Sequence, residues 1–219
     1  MCFSATASFV AAAVTGGLGI ATLSRVTSRA EVPLATVPLI FAAQQLIEGL
    51  LWVSLEGGAD PGVVKALVEG FLLLAQVWWP IFVPISVLLV EPDRARRRLM
   101  GVALAAGVSV GLYLLWSILT RAHNAEIIDE HVVYTTETPY PLLVSIAYFA
   151  ATVVPPLLSS RRVVAILGVV VFVGAATAYV FYYEAFVSVW CFFAAAASGV
   201  ILFHFERERR RHRAEGLPV

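Results

Sequence analysis

The sequence predicts an all-α protein: a bundle of seven transmembrane helices, N-terminus outside and C-terminus cytoplasmic. Three observations predict it. Of 219 residues, 60% are apolar and 14% are charged, against roughly 45–50% and about 25% in an ordinary soluble domain. The apolar residues fall into seven runs of the length, about 20 residues, that a helix needs to cross a bilayer. Lys and Arg, fifteen in all, crowd into every second loop. This composition excludes a disordered chain, a nucleic-acid binder and a typical soluble enzyme.

The spans follow in order. Span 1 covers residues 4–24; no basic segment precedes it, so it reads as a retained span and not a signal peptide. Span 2 covers 33–55. Span 3 covers 63–90 and holds Pro80 and Pro84; each removes a backbone donor, which predicts a kink near mid-membrane. Spans 4, 5, 6 and 7 cover 99–119, 141–158, 163–183 and 185–205. Turn or charge signals separate them: RVTSRAEVP, EGGADPG, EPDRARRR, SSRR and YYEA. Lipid offers no partner to backbone N–H and C=O groups, so runs this long should be helical. The segment 120–140 is long for a connection in a compact bundle and reads as a lid. Residues 1–205 thus form one transmembrane domain, and 206–219 a basic cytoplasmic tail.

Orientation follows from the basic residues. Thirteen of the fifteen lie in the loops after spans 1, 3 and 5 and in the tail; Lys65 and Arg121 are the exceptions. The outer face then carries seven acids, Glu56, Asp60, Glu126, Asp129, Glu130, Glu137 and Glu184. The expected location is the plasma membrane, with the bilayer as chief partner. The tail ERERRRHR reads as a topology anchor drawn to anionic lipid, without a nucleic-acid partner.

Small residues at spacing four mark packing seams. They are Ser8, Ala12 and Gly16 in span 1 and Ala103, Gly107 and Gly111 in span 4. Gly174 with Ala178, and Ala195 with Gly199, repeat the pattern in spans 6 and 7. Trp78 and Trp79 lie too deep for an interfacial belt, so at least one should pack inside the bundle.

Ionisable groups inside a span are costly and usually face the protein interior. Two carboxylates lie clearly within spans, Glu48 and Glu69, and the topology puts both in the outer half. Gln44, Glu48 and Trp52 stand at i, i+4 and i+8, on one side of span 2. Ser188, Trp190 and Cys191 fall in the outer half of span 7, Cys2 begins span 1 there, and the 120–140 segment adds His131 and Tyr134. If these faces meet, they form an outward polar pocket lined by Gln44, Glu48, Trp52, Glu69, Tyr134, Ser188 and Trp190. Glu48 stands out; its structural alternative is a protonated acid donating a hydrogen bond to a neighbouring helix. Cys2 and Cys191 admit three readings: a disulfide between spans 1 and 7, zinc or copper ligands with Glu48 or His131, or small core residues.

The opening MCFSATASF resembles the start of an uncharacterised family of bacterial multi-pass membrane proteins. FAAQQLIEGLLW (41–52), Trp79-Pro80, EPDR (91–94), His131 with Tyr134, and SVWCFF (188–193) are similar to it as well. The resemblance runs from span 1 to span 7. It implies no activity, and it implies that Cys2, Glu48, His131 and Cys191 belong to the family pattern.

Several seven-helix functions lack their residues. The one lysine, Lys65, is not in the last span, which argues against retinal; the one span histidine, His204, sits at an end, which argues against haem. Three functions remain: a binding protein or enzyme with an outward pocket for a metal ion or small ligand, an accessory subunit of a membrane complex, and a transporter of 3+1+3 helices. The oligomeric state stays open.

Overall fold

The computed structural model describes residues 4–181, Phe186, Val189, Trp190, Phe193, Ala195 and 197–214. α1 covers Ala5–Leu23; the Ser4 hydroxyl caps it, accepting from Ala7 N–H at 3.2 Å. A single helical turn at Arg29–Glu31, closed by a Ser28–Glu31 capping box, leads directly into α2, Val32–Glu56. α3 (Pro61–Leu72), a π-helical stretch (Leu73–Trp78) and α4 (Trp79–Val90) follow one another without a break. α5 covers Arg94–Thr120, α6 Pro141–Leu157, α7 Arg162–Phe181 and α8 Ser198–Ala214. Phe186, Val189, Trp190, Phe193 and Ala195 are also helical.

Among the described residues, five segments are long and apolar enough to cross a membrane: Ala5–Leu23, Arg29–Glu56, Pro61–Val90, Arg94–Thr120 and Arg162–Phe181. α6 is apolar but shorter. The seventh predicted span lies partly outside the described residues.

Two boundaries and one internal stretch differ from the sequence expectation, each for a local reason. α5 takes in the RARRR segment, because Asp93 Oδ1 accepts from Arg96 N–H at 2.8 Å and starts the helix ahead of the arginines. α8 runs through residue 205 to Ala214, since Arg and Glu propagate a helix well. In span 3, where a kink is predicted, a π-helical stretch lies ahead of Pro80. A proline at 80 leaves the Gln76 carbonyl without its usual i+4 donor, and the π-helical stretch lies just ahead of that gap.

Among the described residues, the 120–140 segment is the exception to a helical architecture. β1 (His123–Ile128) and β2 (His131–Thr136) form an antiparallel hairpin with Ile128 opposite His131. The two-residue turn holds Asp129 at φ 47° and Glu130 at φ 61°, the left-handed pair of a type I′ turn. Alternation sends Ala125 and Val132, both buried, against Leu51, Trp52, Val68 and Ile118, with Tyr134 beside them. Val133, on the other face, packs against the cluster holding Val153 and Trp190. The hairpin therefore wedges into one end of the bundle between two groups of helices. Ser117 Oγ and Tyr113 OH tie the return strand down by donating to the Glu137 and Pro139 carbonyls at 3.1 and 2.9 Å.

Small residues bring helix pairs close, but in α1 the buried line departs from the predicted Ser8, Ala12 and Gly16. α1 lies along α2 with Ser8, Thr15, Gly19 and Thr22 buried; a Cβ on Gly19 would stand 2.6 Å from the Leu39 side chain. A Cβ on Gly174 would stand 2.6 Å from Phe193 Cβ, while one on Gly199 meets nothing. α8 packs on α1, α2 and α7 and closes the ring.

The end opposite the hairpin gathers the basic segments. Glu91, 1% exposed, accepts from Ser159 Oγ and Ser160 N at 2.8 Å each, from the Ser160 hydroxyl, and from Asp93 N at 3.1 Å. Arg161 Nε donates to the Val90 carbonyl at 2.6 Å and Arg96 to that of Leu158 at 2.7 Å. Arg25 meets Glu206 at 2.7 Å, so that α1 is clipped to α8; hydrogen bonds from Arg210 and Arg25 bring the Glu206 carboxyl down to about 2. For Glu91, burial opposes the charged form, but the bonds from Ser160, Ser159 and Asp93 outweigh it and lower its pKa. A depressed carboxyl contributes stability that is full above the ordinary value of 4.5 and fades as pH falls through the lower folded value. Glu91→Ala should cost about 2–4 kcal/mol at neutral pH. In a thermal-unfolding series the gap between wild type and variant should narrow below pH 4.5; a gap independent of pH contradicts the assignment.

Candidate functional site

α2 is the most enclosed of the membrane-length helices. One stripe of it, Leu34, Val37, Phe41, Gln44 and Glu48, advances by three or four residues at a time and faces the bundle centre. Its first three members are apolar. Its last two are polar and fully buried, as is Gln45 beside them. Gln45 Nε2 donates to Glu48 Oε2 at 3.1 Å. Trp79 Nε1 donates to Gln44 Oε1 at 2.8 Å, and the Trp79 ring stacks on Phe41 with centroids 4.1 Å apart. The amide nitrogen of Gln44 is buried with no hydrogen-bond partner among the described residues, and so is Trp52 Nε1. Burying an amide donor unmet costs on the order of 1–3 kcal/mol, an expense that a bound acceptor would relieve.

The π-helical stretch decides which tryptophan faces inward. It turns α4 so that Trp79 is 5% exposed and reaches α2, while Trp78 is 43% exposed. Here the expectation that one of the pair packs inside holds. The sequence reading did not single out Gln45 or Trp79 as site residues. The QQ pair one turn before Glu48 was the available signal for Gln45.

The other predicted pocket residues divide. Trp52 is buried one turn beyond Glu48, in the cluster that the hairpin covers. Tyr134 stacks on Phe71 with centroids 4.4 Å apart and rings 4° from parallel, which brings it over the α2–α3 junction beside Ile47. Glu69 takes its partners elsewhere: His123 Nε2 at 3.3 Å and Lys65 Nζ at 3.8 Å, half-exposed beside the hairpin. Trp190 lies deeper, against Tyr148, Phe149 and Phe186, and donates to the Val171 carbonyl at 3.3 Å. Ser188 lies outside the described residues.

Of the four candidate metal ligands, Cys2 and Cys191 lie outside the described residues. Glu48 is on α2. His131 is at the hairpin turn, with Nδ1 2.5 Å from the Asp129 carbonyl oxygen. Among the described residues no three His, Cys, Asp or Glu side chains group to hold a metal ion.

Below Gln44 the stripe borders a central cavity of about 70 Å³. Leu34, Val37 and Phe41 of α2, Val83 and Val87 of α4, and Trp190 form much of its wall. The arrangement is thus a fully buried carboxyl and two amides above an apolar hollow, with Trp79 belonging to both. It can hold a ligand by hydrogen bonds and apolar contact. No curated protein and no solved structure matches the chain. Residues 1–216 match the family described as "Family of unknown function (DUF6629)", and the chain belongs to that family.

Proposed function

We propose that this is a seven-span protein of the plasma membrane, N-terminus outside, that binds a small ligand through Glu48 in a pocket on its outer half. One observation carries the reading: Glu48, Gln44 and Gln45 are each 0% exposed on a helix that is mostly apolar. Three buried polar side chains on one span are expensive in a bilayer, and such groups usually mark a site. The unpaired amide nitrogen of Gln44 adds a donor that a ligand would satisfy. The hairpin packed over Trp52 and Phe71 forms the cover of the pocket. The alternating basic loops support the orientation. A fusion reporter at residue 130 that reads cytoplasmic would overturn it.

The ligand reading is tested on protein solubilised without chelators and purified without a nickel column. Metals are measured by elemental analysis and organic ligands by mass spectrometry of a solvent extract. A species near one per chain in wild type, reduced at least tenfold in Glu48→Gln, is the expected result. If that species is zinc or copper and is also lost in Cys2→Ser, the ligand is a metal held by Cys2 and Glu48, and His131→Ala and Cys191→Ser test the other two candidate ligands. No co-purifying species, or one that Glu48→Gln and Glu48→Ala both leave unchanged, defeats the proposal.

A further inference from the structure

We infer that the central cavity is the tail half of the same site, and that the ligand is an amphiphile: an apolar chain ending in a hydrogen-bond acceptor oxygen. The inference rests on the proposed role of the α2 stripe and names the ligand's chemical class.

Two observations join. The first is the wall chemistry. Three hydroxyl side chains line the hollow, Ser86, Thr152 and Tyr148, and each is spent on a backbone carbonyl. Ser86 Oγ donates to the Phe82 carbonyl at 2.8 Å and Thr152 Oγ1 to that of Tyr148 at 2.9 Å. Tyr148, also in the wall, donates its hydroxyl to the Ala75 carbonyl at 2.5 Å. The lining therefore presents aliphatic groups and aromatic rings. At about 70 Å³ the hollow is nearly half the volume of a roughly 150 Å³ engineered apolar cavity that stays dry and takes up benzene. It suits the end of a hydrocarbon chain and gives water no partners.

The second observation is a polar side chain just behind the wall. Phe41 and Trp79 both line the hollow, and the next residue up the stripe from Phe41 is Gln44. Its amide oxygen is occupied by Trp79 Nε1, and its amide nitrogen is fully buried without a partner among the described residues. A free N–H donor selects an acceptor. A carbonyl, ester or ether oxygen at the head of the chain meets Gln44 Nε2, while the chain lies along Phe41 and Val37. Glu48, one turn further, then faces the polar side of the head group.

The experiment uses the full chain in phosphatidylcholine nanodiscs and an eleven-carbon methyl ketone carrying a diazirine at its far end. After photolysis, labelled residues are located by mass spectrometry. Saturable labelling at Val83, Val87 or Trp190 is expected, and Val83→Phe, which fills the hollow, should remove it. 2-Undecanone should compete about tenfold better than undecane at equal membrane concentration, the worth of one hydrogen bond, and Gln44→Met should erase that difference. Labelling confined to lipid-facing positions such as Val102 and Leu112, or equal competition by ketone and alkane in wild type, overturns the inference. The wild-type competition decides the matter even where Val83→Phe fails to fold. The two proposals separate cleanly. Unlabelled walls alongside a Glu48-dependent co-purified ligand refute the chain site alone. Labelled walls with ketone preference, unchanged in Glu48→Gln, uphold the chain site and refute the anchoring role of Glu48.

Discussion

Gly107→Ala should lower the unfolding free energy by about 3 kcal/mol, and Gly107→Val by more. A Cβ on Gly107 would stand 1.8 Å from the Pro80 carbonyl oxygen and 3.2 Å from Ala151 Cβ. The obstacle is backbone, so no rotamer change relieves it; α5 would have to withdraw from α4. The position has a chemical reason. In an α-helix the Pro80 carbonyl would accept from the N–H of residue 84, and residue 84 is a proline with none to give. The bare Gly107 backbone lets α5 cover that oxygen closely and offers a weak Cα–H donor to it. Gly101, on the same helix, has nothing within 4 Å of the place where a Cβ would stand. Gly101→Ala should therefore be neutral or stabilising by up to about 1 kcal/mol. Thermal unfolding of both variants in one detergent measures the contrast. Equal melting temperatures for Gly107→Ala and Gly101→Ala would refute the packing argument.

Trp79 should show the next largest effect. Trp79→Ala removes the stack on Phe41, opens the central cavity further and strands Gln44, for a cost of about 3–5 kcal/mol. Trp79→Phe keeps most of the ring and loses the 2.8 Å bond to Gln44 Oε1, leaving the whole buried amide unpaired, for about 1–3 kcal/mol. The double variant Trp79→Phe with Gln44→Leu replaces both partners by apolar groups and should recover part of that loss. Unfolding of Trp79→Phe, Gln44→Leu and the double variant in the same detergent gives the coupling. Simple additivity of the two substitutions would mean that the Trp79–Gln44 bond contributes nothing. Trp78→Phe, at an exposed position, should change stability by no more than about 0.5 kcal/mol.

Five of the predicted spans were legible as helices long and apolar enough to cross a membrane, because such a helix must be apolar over its whole length. The breaks between them were legible because charge and Gly/Pro turns cannot continue inside lipid. The stripe of Gln44, Glu48 and Trp52 was visible for the same reason: in an apolar run, helical spacing of polar residues defines a face. The hairpin was not. HVVYTT has the β-branched and aromatic character of a strand, but its turn is Asp-Glu, without the Asn-Gly or Asp-Gly that announces a type I′ loop. The place of Glu91 was hidden too. In sequence it is a loop carboxylate beside Pro92 and four nearby arginines; its donors Ser159 and Ser160 come from 68 and 69 residues further on.

The sequence by itself determined a helical protein with membrane-length apolar segments, the grouping of its basic loops, and a polar face on α2 centred on Glu48. These follow from composition and from the fixed 3.6-residue period, which act locally. Tertiary structure alone decided what that face meets. It set Trp79 rather than Trp78 against Gln44, through a π-helical stretch whose register change no periodicity announces. It turned Glu69 away to His123 and Lys65, and it opened an apolar hollow beneath the amides. Those outcomes depend on which helices touch, and contact between distant segments is settled by packing, not by the order of residues along one helix.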